Sequence, residues 1–240
     1  MPYSYYYGFD WTYIVLVLPC ILLSLWASAN VKSTFNKYSR QFSSRRLTGA
    51  EAAQRVLSAN GVRGVRIDRV SGNLTDHYDP KTNVIRLSDS VYDSTSTAAI
   101  GVACHEVGHA VQYAENYAPI KVRAAIIPLT NFGSKIAMPL ILLGILCTFL
   151  GSFSDSLVYM GIAAFGMSLV FQIVTLPVEF NASRRAMEAI ESANILTEEE
   201  QRGARKTLTA AALTYVAATA VALAQLLRLI MIFGGRRRND

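Results

Sequence analysis

The 240 residues are 52% hydrophobic and only 17% charged, against roughly 25% charged in an average soluble domain. A mean hydropathy of +0.28 excludes a disordered chain or a nucleic-acid tail, because that much apolar surface is not left in water. The net charge of +6 suits nucleic acid and anionic lipid equally, so the positions of the 23 Lys and Arg residues decide between them.

Trp11 to Ala29 carries no charge over 19 residues, about the ~20 that a helix needs to cross a ~30 Å hydrocarbon core. A cleaved signal peptide is the competing reading, but no basic residue precedes this run, whereas Lys32, Lys37 and Arg40 follow it. Ile136 to Phe153 and Leu157 to Val178 are two further uncharged runs, joined by the polar Ser154, Asp155 and Ser156. They predict a membrane hairpin. The last run, Leu208 to Phe233, is rich in Ala and Thr and contains Gln225 and Arg228. It is the weakest of the four spans. Fourteen Lys and Arg residues lie between the first and second runs and five between Glu179 and Lys206. An even number of crossings puts these two segments on one side, which the excess of positive charge marks as cytoplasmic. Arg236, Arg237 and Arg238 break this pattern if the fourth helix crosses fully. The basic balance therefore reads as a topology signal, and no nucleic-acid partner is expected. Cys20, Cys104 and Cys147 are too scattered for a disulfide framework, which fits a reducing compartment or burial in lipid.

Residues 31–135 are enough for a small domain outside the membrane. Thr48 with Glu51 predicts a capped helix to Ala59, with Ala52, Ala53, Val56 and Leu57 on one face. Gly61 to Val70 and Asn83 to Leu87 predict short strands, joined through a polar turn around Asp79 and Pro80. The expected fold is a mainly α integral membrane protein. Residues 1–30 form an N-terminal span, 136–178 the hairpin and 208–233 a fourth membrane helix. Residues 31–135 form an α+β domain with a small sheet, 179–207 a second cytoplasmic segment and 234–240 a basic tail.

Thr97 to Tyr113 is a helix by composition and contains His105-Glu106-Val107-Gly108-His109. Two histidines four apart share one helix face, so both imidazoles can reach one ion at ~2.0 Å while Glu106 points at its open position. In this HExxH pattern Glu106 is the candidate general base, taking a proton from a water that the metal acidifies and passing it to the leaving amine. The alternative is a pair of core or surface histidines at helical spacing, but Ala103, Gly108 and Ala110 around them permit close packing by another element. Catalytic zinc takes a third protein ligand. His77 is the only other histidine. Glu179, where the third apolar run meets the cytoplasmic side, is the preferred candidate. Ser183 lies one turn further on, where it can hydrogen-bond a ligand. Asp76 and Asp79 are either partners for histidine ring nitrogens or turn residues. Arg184 and Arg185 are candidates to stabilise an oxyanion, or simply basic residues at a helix end. Cys104, turned about 100° from His105, reads as core.

Gly101-Val102-Ala103-Cys104 leading into His105, the box Leu74 to Pro80 followed by Ile85-Arg86-Leu87-Ser88, and Leu176-Pro177-Val178-Glu179-Phe180 resemble the YugP-type neutral zinc metallopeptidases of bacterial membranes. The resemblance covers nearly the whole chain. It implies a membrane-embedded, zincin-like peptidase holding one catalytic Zn2+. At longer range it is similar to HtpX and the CAAX prenyl endopeptidases, gluzincins with Glu as third ligand. In those relatives an Asp commonly stands four positions after that Glu, where this chain has Ser183. The relatives also suggest that a substrate peptide adds to an exposed strand edge near Asn83 to Leu87; the alternative is that Leu74 to Leu87 is a surface hairpin packing the helix.

The function expected is a zinc-dependent endopeptidase at the cytoplasmic face of the cell membrane, acting on membrane-associated proteins or peptides. A non-catalytic zinc-binding adaptor or chaperone-like protein is the alternative, against which the intact Glu106 argues. A transporter would need ionisable residues inside the spans, and only Arg228 qualifies.

Overall fold

Residues 10–234 are described by a computed structural model. A π-helical turn at Tyr13–Val17 runs into α1 (Leu18–Tyr38), followed by α2 (Gly49–Ala59), β1 (Arg66–Val70), β2 (His77–Asp79) and β3 (Val84–Ser88). The chain ends in four helices: α3 (Thr97–Ala114), α4 (Ala118–Leu146), α5 (Ser152–Ser192) and α6 (Glu198–Phe233). The protein is thus mostly helical with a small mixed sheet. Tyr13–Tyr38, α4, α5 and α6 are each long and apolar enough to cross a membrane.

These helices outrun the apolar stretches in the sequence. At 41 residues, α5 is about 60 Å long at ~1.5 Å per residue, roughly twice the hydrocarbon thickness. It continues through Pro177 and Glu179 without a break. Likewise α4 begins at Ala118, well before the uncharged run from Ile136, and α6 begins at Glu198. Hydropathy marks where the surroundings change, whereas a helix stops only where a cap or breaker stops it.

The chain divides into two compact units. One comprises Ala27–Ala125 and Ile173–Tyr215. Its core joins Ala53, Val56 and Leu57 of α2, Ile85 and Leu87 of β3, Ile100, Ala103 and Val107 of α3, Ile190 of α5 and Ala204 of α6. Thr48 caps α2 as expected. Its hydroxyl accepts from Glu51 N at 3.2 Å, while the Glu51 carboxylate accepts from Thr48 N at 2.8 Å.

The sheet departs from the expected pair of strands. The turn at Asp79 and Pro80 joins β2 to β3, which run antiparallel with His77 opposite Arg86. On its other side β3 pairs in parallel with β1, Arg66 opposite Val84. The strand order β1-β3-β2 makes β3 central. A peptide therefore cannot add to the edge of Val84 to Arg86, which pairs with a strand on both sides; the outer strands are β1 and β2. Alternation could not mark the three-residue β2, because one period-2 repeat is no pattern.

The other unit comprises the stretch ending at Trp26, Ile126–Gln172 and the stretch from Val216. Ile141, Val158, Ile162 and Leu229 form its apolar cluster. Leu22, Leu25, Phe149 and Met231 point outwards, as lipid-facing side chains do. Arg228, the cation inside the last span, donates from Nε to Asp10 Oδ2 at 3.0 Å and lies 5.3 Å from the Tyr13 ring centre. The Tyr159 hydroxyl donates to Phe233 O at 3.1 Å. The end of α6 therefore lies beside the π-helical turn that precedes α1 and the first turns of α5. Arg236, Arg237 and Arg238 lie outside the described residues.

Candidate metal centre

Ser96 starts α3 by accepting a hydrogen bond from Ala99 N at 3.2 Å, and the Ala, Gly and Val residues that follow form a helix buried on most sides. His105 and His109 stand one turn apart on it, their rings edge-to-face with centres 4.7 Å apart. The helix α5 crosses at Gly108. A Cβ at Gly108 would stand 2.6 Å from Ala182 O, so only glycine admits this approach. Glu179 and Ser183, on either side of Ala182 in sequence, reach the histidines as a result.

His105 Nε2 lies 3.3 Å and His109 Nε2 3.6 Å from Glu179 Oε2. The three residues offer ligand atoms within 4.8 Å of one another and could hold a metal ion. The opposite ring nitrogens are held from behind. Ser183 Oγ is 3.1 Å from His105 Nδ1, and Gln112 Oε1 is 3.0 Å from His109 Nδ1. Gln112 is fully buried, and its Nε2 donates to Val178 O and Asn181 Oδ1, both at 2.9 Å. Its oxygen is thus left to accept from His109, whose proton belongs on Nδ1. The lone pair of His109 Nε2 then faces the carboxylate.

Two lone pairs at this distance repel unless a cation lies between them. Glu179 is buried, its Oε1 pairs with Arg123 Nη1 at 3.2 Å, and its Oε2 has no hydrogen-bond partner among the described residues. A buried oxygen left without a partner costs about 1–3 kcal/mol or more, which a metal ion would offset. The set of two imidazoles and one carboxylate matches a catalytic zinc donor set. Burial alone would lower the proton affinity of His109, but the Glu179 and Glu106 carboxylates beside it hold it above the usual histidine value. The negative potential that favours a proton there equally favours a metal cation.

Glu106, buried, lines a cavity of about 240 Å³ together with His105, Glu179, Ser183, Asp76 and Tyr215. The other sequence candidates do not join the histidine pair. His77 is exposed on β2 with Nδ1 2.9 Å from Thr75 O, so the structure gathers Glu179 with the histidine pair and leaves His77 out. Asp76 partners neither ring: it accepts from Ser88 N at 2.7 Å and Ser88 Oγ at 3.0 Å. Burial and the nearby Glu106 charge push its carboxyl above the usual range. Asp79 accepts from Thr82 Oγ1 at 2.7 Å and Lys81 N at 2.9 Å, which hold its carboxyl down at about 2. It is a turn residue. Arg184 forms an exposed pair with Glu188 at 2.5 Å, and Arg185 bonds Asn181 and Glu115; neither lines the cavity. Cys104 is core, its thiol pushed up to about 12 by burial.

Sequence reasoning missed Gln112, Arg123 and Tyr215. Gln112 had a signal, a polar residue three positions after His109 on the same face. Arg123 and Tyr215 arrive from separate helices and had none.

Residues 13–234 match the family model described as "Putative neutral zinc metallopeptidase". The chain is 48% identical over 228 residues to the "Putative membrane protease YugP" of Bacillus subtilis (strain 168), covering 95% of this chain and 99% of that protein. No solved structure matches the chain. Both matches run almost end to end, and the chain belongs to this family of neutral zinc metallopeptidases.

Proposed function

We propose that the protein is a zinc-dependent endopeptidase of the gluzincin type, embedded in the cell membrane and hydrolysing peptide bonds at its cytoplasmic face. Residues 31–135 and 179–207 supply a zincin-like catalytic region, and the spans 1–30, 136–178 and 208–233 anchor it in the bilayer. The observation that carries this reading is the convergence of His105, His109 and the unpartnered Glu179 Oε2 beside the cavity that Glu106 lines. The cytoplasmic placement rests on the sorting of Lys and Arg residues. Membrane-associated proteins and peptides are the proposed substrates.

His105, His109 and Glu179 hold one zinc ion, which when bound supplies Lewis-acid chemistry by polarising a carbonyl and acidifying water. Glu106 accepts the proton of the attacking water and returns it to the departing amine. Ser183 and Gln112 fix the two imidazoles with Nε2 turned inward, and Arg123 offsets part of the Glu179 charge. Tyr215, which lines the cavity, is the candidate to donate its hydroxyl to a developing oxyanion.

The test is metal analysis and an unbiased peptide-cleavage assay on full-length, detergent-purified protein. Glu106→Gln should retain zinc and lose hydrolysis by on the order of 10²–10⁴-fold, whereas Glu179→Ala should lose zinc. Bound zinc with no Glu106-dependent cleavage would overturn the peptidase reading in favour of a non-catalytic zinc-binding protein.

A further inference from the structure

A groove of about 470 Å³ runs between α5 and α6 next to the metal centre. Ser183, Leu208 and Ala212 line both this groove and the cavity that holds Glu106, so the two spaces share one wall. Phe180, Met187, Leu208 and Ala212 supply apolar surface to the groove. Phe180 is 47% exposed there. The rim is charged. Arg184 and Glu188 neutralise one another across one turn of α5, so the rim presents no net charge at that point to select a charged ligand.

Polypeptide is the occupant that fits. From Glu179 to Glu191 the α5 wall is about 18 Å long at ~1.5 Å per residue, enough for roughly five extended residues at ~3.3 Å each. An extended chain leaving the metal centre alternates its side chains, and those turned to the floor meet Met187 and Leu208. We propose that this groove is the specificity subsite of the enzyme and takes one large apolar side chain of the substrate, within five residues of the scissile bond. The inference rests on the endopeptidase reading and adds to it a substrate class, segments with a bulky apolar residue on one side of the cut.

The test compares full-length wild-type protein with Thr209→Trp and Leu208→Ala against a peptide library randomised for five positions on each side of the cut. Thr209 is exposed on the groove wall, so the indole narrows the groove from outside the core. Wild type should favour Leu, Met or Phe at one position. Thr209→Trp should shift that preference to Ala and Ser by about tenfold in relative kcat/KM, the scale of discrimination by an apolar pocket. Leu208→Ala should shift it towards Trp. In the Glu106→Gln background, Thr209→Trp should weaken binding of a Leu-bearing peptide by a similar factor. Glu106-dependent cleavage with one unchanged profile in all three proteins would overturn the subsite and leave the peptidase standing. Absence of any Glu106-dependent cleavage would overturn both.

Discussion

Gly108 fixes the distance between α3, which carries the candidate ligands His105 and His109, and α5, which carries Glu179. Adding one methyl group there places it 2.6 Å from Ala182 O, inside any tolerated contact, and the neighbour is backbone that cannot rotate away. Gly108→Ala should lower zinc content even under saturating metal and cost about 1–3 kcal/mol, as overpacking does; metal analysis beside thermal unfolding in detergent measures both. Ser183 acts at finer range. Ser183→Ala should weaken zinc binding about 10-fold, and Gln112→Ala by up to about 100-fold, because each removes a partner that aims an imidazole. Competition with a chelator reads the difference, and equal affinities would show that these contacts do not aim the rings. At this scale the histidine pair and Glu106 were legible because helical spacing alone puts them together. Glu179 was legible because charge sorting brought it to the same side. Arg123 and Tyr215 were illegible because nothing local marks a residue that meets the site only through packing.

Among the elements, the capped helix α2 and the HExxH helix α3 follow directly from sequence, since a capping box and an unbroken Ala-rich run are local signals. The sheet does not. Its central strand was expected to be an edge, because pairing partners come from β1 and β2 and strand order is not a property of any one segment. The β2–β3 turn has its own pH signature. Hydrogen bonds from Thr82 and Lys81 hold Asp79 at about 2, below the unperturbed value of 3.8. A carboxylate with a lowered folded value stabilises the fold above the unfolded value and loses that contribution as pH falls from 3.8 towards about 2. Melting temperatures of wild type and Asp79→Asn should therefore differ at pH 6 and converge across that window. A constant difference would show that the carboxylate charge does not matter in this turn.

For the molecule as a whole, composition announced the four long helices, and the sorting of basic residues proposed an orientation. Sequence left the last helix undecided, because the Arg236 to Arg238 tail breaks the charge sorting if the helix crosses fully, and because Gln225 and Arg228 weaken its hydropathy. The structure pairs that arginine with Asp10 and sets Phe233 beside Tyr159, so a cation that looked misplaced is held by a carboxylate from the other end of the chain. Reporters fused to the N-terminus and the C-terminus should accordingly report the same side of the membrane, and a reporter inserted near residue 60 the opposite one. Opposite signals from the two termini would mean that the final helix does not cross.

The dispersal of the metal centre along the chain also sets an order in time. Ser183 is 78 positions from the histidine it holds, and Glu179 follows His109 by seventy residues. At ~5–20 residues per second the ribosome needs roughly 4–14 s to add that stretch. During this interval the nascent chain has both histidines and Glu106 but neither Glu179, nor Ser183 behind His105, nor the α5 wall. A chain stalled anywhere in residues 136–178 consequently lacks the Glu179 carboxylate, and under the proposed function hydrolytic competence arrives only after that segment has been made.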